Sequence, residues 1–184
     1  MAEYYFISQL PSLDAIGENT PMPITEQRFL ELCQRFLGKK LLNEIKKLTL
    51  LPPLTPETSM SSLIEAWNIG ERDLRLSLAK IRSDKMNKPF DVKNITLSNE
   101  LLKVASAAVE IDSPLEAEKF LLQHRLNFLE TLRPMDTFSD DFVFYYGLKL
   151  KLMLRIREFD AQQGETAYKN IYNAILNGDR LEAI

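Results

Sequence analysis

Leucine and isoleucine alternate with cations through Leu148-Lys149-Leu150-Lys151-Leu152-Met153-Leu154-Arg155-Ile156-Arg157, almost as in a half-buried strand. Every residue of that run except Ile156 is a good helix former. Set on a 3.6-residue period with Phe142, Tyr145, Tyr146 and Phe159, the apolar side chains wrap nearly all the way round. A helix of that kind belongs in the middle of a bundle, its Lys and Arg stems lying along apolar neighbours while the charged heads reach water. Ser139, with Phe142 three residues on, marks its start, and residues 139–160 read as one helical pillar.

The rest of the pattern is also mostly helical. Thr25 is an N-cap for a helix to Leu37 with Phe29, Leu32, Cys33 and Phe36 on one face; Gly38 suits a C-cap or hinge, and Leu41, Leu42, Ile45 and Leu48 continue a second short helix. Ser61 or Ser62 caps a short helix through Trp67, and Asn68-Ile69-Gly70 suits a kink. Leu74, Leu78 and Ile81 then recur at helical spacing from Glu71 to Met86. Ser98 caps a helix from Asn99 to about Glu110, and Ser113-Pro114-Leu115-Glu116 is a capping box with proline at the first helical position. The helix behind it turns Leu115, Leu122, Leu126 and Leu129 inward. Gly164 ends the pillar's extension, and residues 167–176 form a last amphipathic helix.

Only the beginning departs from this period. Tyr4-Tyr5-Phe6-Ile7 has strand composition, and Leu10-Pro11 with Pro21-Met22-Pro23 imposes extended or turning backbone. Such a segment needs a second short strand or a groove between helices. The fold class is therefore mainly α, a helical bundle of six to eight helices with a short extended N-terminal segment. Leu51-Pro52-Pro53-Leu54-Thr55-Pro56 is the best linker, dividing an N-terminal part at 1–53 from a main bundle at 54–184, or lying within one continuous domain.

Composition narrows the function without naming it. The 184 residues are 45% hydrophobic and 27% charged, which suits a globular chain. A formal charge of −3 and a pI near 5.4 argue against a dedicated nucleic-acid binder. A single cysteine excludes an intrachain disulfide. The first residues lack a signal-peptide pattern, and no apolar run approaches the ~20 residues that cross a bilayer, so a cytoplasmic location is expected.

Candidate chemistry is sparse. His124 is the only histidine, which rules out a two-histidine metal motif within one chain; Phe120 and Phe128 as helical neighbours read it as a packed boundary residue. Cys33 sits on an apolar face and reads as a buried, inert thiol. Gly38-Lys39-Lys40 lacks the upstream glycine and following Ser/Thr of a phosphate loop. Glu116 and Glu118, two apart on a helix, do not face one site, and Asp140-Asp141 favours a helix dipole. No catalytic residue, cofactor or metal is expected from the motifs, and the alternatives to a non-catalytic role are a generic helical adaptor or an enzyme whose carboxylate pair is brought together only by folding. The sharpest surface feature is the helix from Glu71 to Lys88, whose Arg72, Arg75, Arg82 and Lys85 share one broad side. Residues 71–88 hold six basic and three acidic side chains, against three and seven in 112–141. That side is either a solvated face with local pairs such as Glu71–Arg75, worth ~0.3–0.5 kcal/mol each, or a docking surface for an acidic partner helix. A nucleic-acid surface is disfavoured by the lack of interleaved aromatics.

Several segments in succession resemble a bacterial family encoded beside the subunits of V/A-type rotary ATPases. They are Tyr4-Tyr5-Phe6-Ile7 with Leu10-Pro11-Ser12-Leu13; Glu71-Arg72-Asp73-Leu74-Arg75; Ser113-Pro114-Leu115-Glu116-Ala117-Glu118; and Tyr145 through Leu148-Lys149-Leu150 to Arg155. The resemblance implies a stand-in for the C (or d) subunit, a helical piece joining the rotating central stalk to the membrane ring in proton or sodium transport. It implies other V/A-type ATPase subunits as partners, contact with the membrane only through the complex, and a place at the inner face of the plasma membrane. The C subunits themselves are longer and built from repeated helical units, so one copy of this chain does not make a complete socket. The resemblance carries no catalytic residues.

Overall fold

The computed structural model describes residues 2–14, 16, 20–53, 59–90, 96–158, 166, 168–173 and 175. Seven helices form among them: α1 (Ala2–Gln9), α2 (Glu26–Phe36), α3 (Lys39–Lys47), α4 (Ser62–Lys85), α5 (Asn99–Glu110), α6 (Pro114–Thr131) and α7 (Asp140–Glu158). Residues 168–173 are helical as well, and no strand is present among the described residues. The bundle expected from the periodicity is the fold observed. Phe159 and Gly164 lie outside the described residues.

The pillar is α7. Val143, Phe144, Tyr145, Tyr146, Gly147, Leu148, Lys149 and Leu150 are all buried in sequence, followed by Leu152 and Met153. Eight consecutive buried positions are possible on a helix only when neighbours cover every side. Here α2, α3, α4 and α6 all pack on α7. Gly147 permits the closest approach: a Cβ there would lie 2.8 Å from Leu48 Cδ2 and 3.3 Å from the Phe29 ring. The main core joins Phe6, Phe29 and Ile45 to Trp67, Leu122, Leu129 and Leu148, so buried residues from both sides of the proline stretch share it. A second, smaller core of Leu74, Leu78, Ala105, Ala108 and Leu121 lies where α4, α5 and α6 meet. The two alanines leave room for α5 to come close to α4.

Side-chain caps start five helices as their sequences dictate. The hydroxyl oxygens of Thr25, Ser61, Ser98 and Ser113 accept from the amides of Arg28, Ile64, Glu100 and Glu116 at 3.2–3.4 Å. Ser139 does the same for Phe142 at 3.2 Å. Each satisfies an amide that the first helical turn leaves without a partner.

Three local expectations are corrected. Tyr4-Tyr5-Phe6-Ile7 is helical, within α1, rather than a strand. With no second strand to pair it, a helix satisfies its own backbone groups, and it turns Phe6 fully into the core against Phe36. Past α1, the Pro11 carbonyl accepts from Tyr146, Asp14 from Lys149 and the Thr20 carbonyl from Arg157, all on α7. Second, residues 68–70 make no kink: α4 is one helix of 24 residues, and Gly70 serves close packing, since a Cβ there would meet the Phe128 ring at 2.4 Å. Third, Gly38 stands at the junction of α2 and α3 but is not the C-cap: Leu37 closes α2, and Gly38 is the N-cap of α3, with φ −67° and ψ 151°. Among the described residues no helix is long and apolar enough to cross a membrane.

Candidate functional site

The four cations singled out in sequence all lie on α4, but the fold employs most of them internally. Arg72 donates from Nη2 to the Pro53 carbonyl at 2.9 Å, tying that residue to α4; Leu54, Thr55 and Pro56 of the expected linker lie outside the described residues. Lys85 donates to the Val109 carbonyl at 3.2 Å, tying the end of α4 to the end of α5. Arg75 donates from Nε to Glu71 Oε1 at 2.7 Å. Arg82 is exposed on the same side. The helix therefore presents Arg82 and the outer part of Arg75 outward, not four free charges.

Glu71 is the residue that sequence reasoning underrated. It is only 2% exposed, and both carboxylate oxygens are used. Arg125 of α6 grips it from two directions, Nε to Oε2 at 2.9 Å and Nη2 to Oε1 at 3.0 Å. Arg125 also lies 3.9 Å from Glu118, and Glu118 lies 3.6 Å from Arg155 on α7. A chain of alternating charge thus crosses from α4 through α6 to α7. A signal for it existed. Trp67, Glu71, Leu74 and Leu78 fall three or four apart, so Glu71 occupies an apolar stripe and had to be buried with a partner.

Between α4, α5 and α6 a cavity of about 440 Å³ has Leu74, Leu101, Val104 and Phe128 as apolar walls, with Arg125 and His124 at its polar end. Burial holds His124 below its ordinary value, the Arg125 charge adds to the effect, and the Glu71 charge opposes it. The imidazole is therefore neutral at neutral pH. Glu71 and Arg125 satisfy one another, and Ser98 and Glu100 at the start of α5 also line the cavity.

A second cluster lies at mid-height of α7. Lys149, itself buried, reaches Asp14 Oδ1 at 2.5 Å, Glu130 Oε1 at 2.6 Å and the Tyr145 hydroxyl at 3.2 Å. Tyr145 in turn donates to Glu130 at 2.8 Å. Burial works against the Lys149 charge, but the bonds to Asp14, Glu130 and Tyr145 outweigh it and leave the ammonium above its ordinary value. The same Lys149 bond holds Asp14 below its own, against a smaller opposing effect of burial. Tyr145 is pushed up by burial and by its bond to Glu130. Further along α7, Lys151 pairs with Glu26, and Arg157 donates to the Thr20 carbonyl at 2.7 Å. Tyr146 donates to the Pro11 carbonyl at 2.8 Å. The expectation that the α7 cations reach water is thus corrected for Lys149, whose head is buried among carboxylates.

Cys33 is fully buried on the apolar face of α2, and burial pushes its thiol up to about 12. Among the described residues no group of three or more His, Cys, Asp or Glu side chains could hold a metal. No protein-family model, curated protein or solved structure matches this chain.

Proposed function

We propose that this chain is a non-catalytic subunit or assembly factor of a bacterial V/A-type rotary ATPase, a C-subunit-like link between central stalk and membrane ring. In that role it would serve proton or sodium transport without bond chemistry of its own. One observation carries the reading: α7 is enclosed by four helices and pinned along its length by Lys149, Lys151 and Arg157 to the segment between Asp14 and Glu26. A bundle braced this way resists shear between its helices, as a part that transmits torque must. The resemblance noted in sequence supplies the identity of the machine. The outward charge at Arg82 and Arg75 supplies a contact for an acidic partner helix. The test is affinity purification of the tagged chain from its native cell. Stalk and ring subunits should co-purify with it, and Arg82→Glu should reduce their recovery while leaving the melting temperature unchanged. Arg82 is the right position because reversing Arg75 would also face Glu71 with a like charge. Recovery of those subunits at the wild-type level with Arg82→Glu would refute the docking face, and their absence from the wild-type purification would refute the role.

A second reading is a helical adaptor unrelated to the ATPase. Its supporting observation is an apolar stripe at Tyr168, Ile171, Tyr172 and Ile175, spaced for one helix face and 52–67% exposed. Purification of a different protein set, lost when Ile171 and Ile175 are changed to Ser, would favour it.

A further inference from the structure

The two ends of α5 pack differently. Toward its end, the buried Ala105 and Ala108 sit in the small core, and the Lys85 bond to the Val109 carbonyl ties α5 to α4. Toward its start, Leu101 and Val104 are only partly buried, and with Leu74 and Phe128 they line the cavity of about 440 Å³ between α4, α5 and α6. Small residues thus close one end of the α4–α5–α6 junction, and larger ones border an unfilled space at the other.

That space is preformed. The Phe128 ring stacks on Trp67, with centroids 6.1 Å apart, and takes the room that a Cβ at position 70 would need. Glu71 and Leu74, each 2% exposed, lie deepest among the lining residues, while the exposed Ser98 and Glu100 mark the mouth. The volume falls within the ~300–1,000 Å³ of pockets that take small molecules. Its lining is mainly apolar, so water finds few partners there.

The charges beside the cavity are spoken for. Arg125 gives Nε and Nη2 to Glu71, and its Nη1 lies 3.9 Å from Glu118. Desolvation and the Arg125 charge keep His124 neutral against the Glu71 charge. Glu100 places a negative charge at the mouth. An anion entering here meets that carboxylate and gains no free cation. We infer that this cavity binds an uncharged apolar molecule the size of one or two fused rings, held by burial against Leu74, Leu101, Val104 and Phe128 rather than by a polar anchor. The inference is independent of the ATPase reading, since it rests on the cavity alone.

Indole and indole-3-carboxylate, which share a ring system and differ in charge at neutral pH, are the probes. In the ¹³C-methyl-labelled full chain, indole should bind saturably with a Kd of about 1 mM or tighter. Intermolecular nuclear Overhauser effects should place it against the methyl groups of Leu74, Leu101 and Val104. His124 is the only histidine, so its C2 proton gives one imidazole signal that should shift along the same saturation curve. Indole-3-carboxylate should bind about tenfold or more weakly. Val104→Thr keeps the side-chain shape but puts a hydroxyl on the wall, and should weaken indole about threefold or more. No saturable binding, or Overhauser contacts to other methyl groups only, would overturn the site. Equal or tighter binding of the carboxylate would overturn the uncharged class, and unchanged affinity in Val104→Thr would overturn the role of the wall. If Val104→Thr does not fold, the two titrations and the Overhauser contacts of the unaltered chain decide the matter.

Discussion

Glu71 and Arg125 offer the sharpest test of how this bundle is held. Glu71→Met removes a carboxylate that is 1% exposed and leaves the Arg125 guanidinium, 11% exposed, without its two-point partner. Breaking one side of a buried ion pair costs ~3–5 kcal/mol, most of it from the charge left behind. Two features lower that figure here. Arg75 is 44% exposed and can turn to water, and Arg125 keeps Glu118 at 3.9 Å. We therefore expect a loss of about 2–4 kcal/mol for Glu71→Met, and a similar loss for Arg125→Met. For a chain of this length that is roughly 4–16 °C in melting temperature. The double variant should be far milder than the sum, within about 1 kcal/mol of the parent, because two methionines fill the space with no charge left unpaired. Urea titrations followed by far-ultraviolet circular dichroism measure all four proteins. A loss below about 1 kcal/mol for Glu71→Met, or a double variant as unstable as the two single losses added, would refute the account.

Other predictions follow from single positions. Cys33 should react with a thiol reagent only through unfolding, so labelling in native buffer should run at least about 1,000-fold slower than in urea; fast native labelling would contradict its burial. Gly147→Ala gains helix propensity of ~1 kcal/mol but crowds Leu48 and Phe29, for a net loss of roughly 0.5–2 kcal/mol in thermal unfolding. On acidification, two groups act in the same direction. The folded state holds both His124 and Asp14 below their ordinary values of 6.5 and 3.8, so each contributes stability above its ordinary value that is lost as pH falls through the lower, folded one. Urea midpoints should therefore decline from about pH 7 downward, and His124→Gln should flatten the part of that decline between about pH 7 and 5. The Asp14 share should stay below about 1 kcal/mol, because that side chain is 53% exposed.

The sequence made the helices legible because their signals are local. Thr25, Ser61, Ser98 and Ser113 sit at the places where an apolar period begins, and each proves to be a cap. The pillar was legible for a similar reason: no surface helix carries leucine on every side. What escaped was non-local. Arg125 and Glu71 are 54 residues apart, and Lys149 and Asp14 are 135 apart, so no spacing rule joins them. Aromatic residues at positions 4–7 suggested a strand because β propensity records half-buried surfaces, and α1 provides such a surface in helical form. Gly70 and Gly38 were read from backbone freedom, whereas Gly70 is set by the Phe128 ring and Gly38 by the start of α3. Of the predicted binding face, position on the helix was readable, but the carbonyls of Pro53 and Val109 that claim Arg72 and Lys85 were not.

The bridges from α7 to the Asp14–Glu26 stretch have a consequence for biosynthesis. A ribosome delivers Phe6, Phe29 and Ile45 long before it delivers Tyr146, Lys149 and Arg157, the residues that complete their enclosure. Until then the early helices emerge with greasy faces uncovered, and the nascent polypeptide has to wait for its own distant half before the interior can seal.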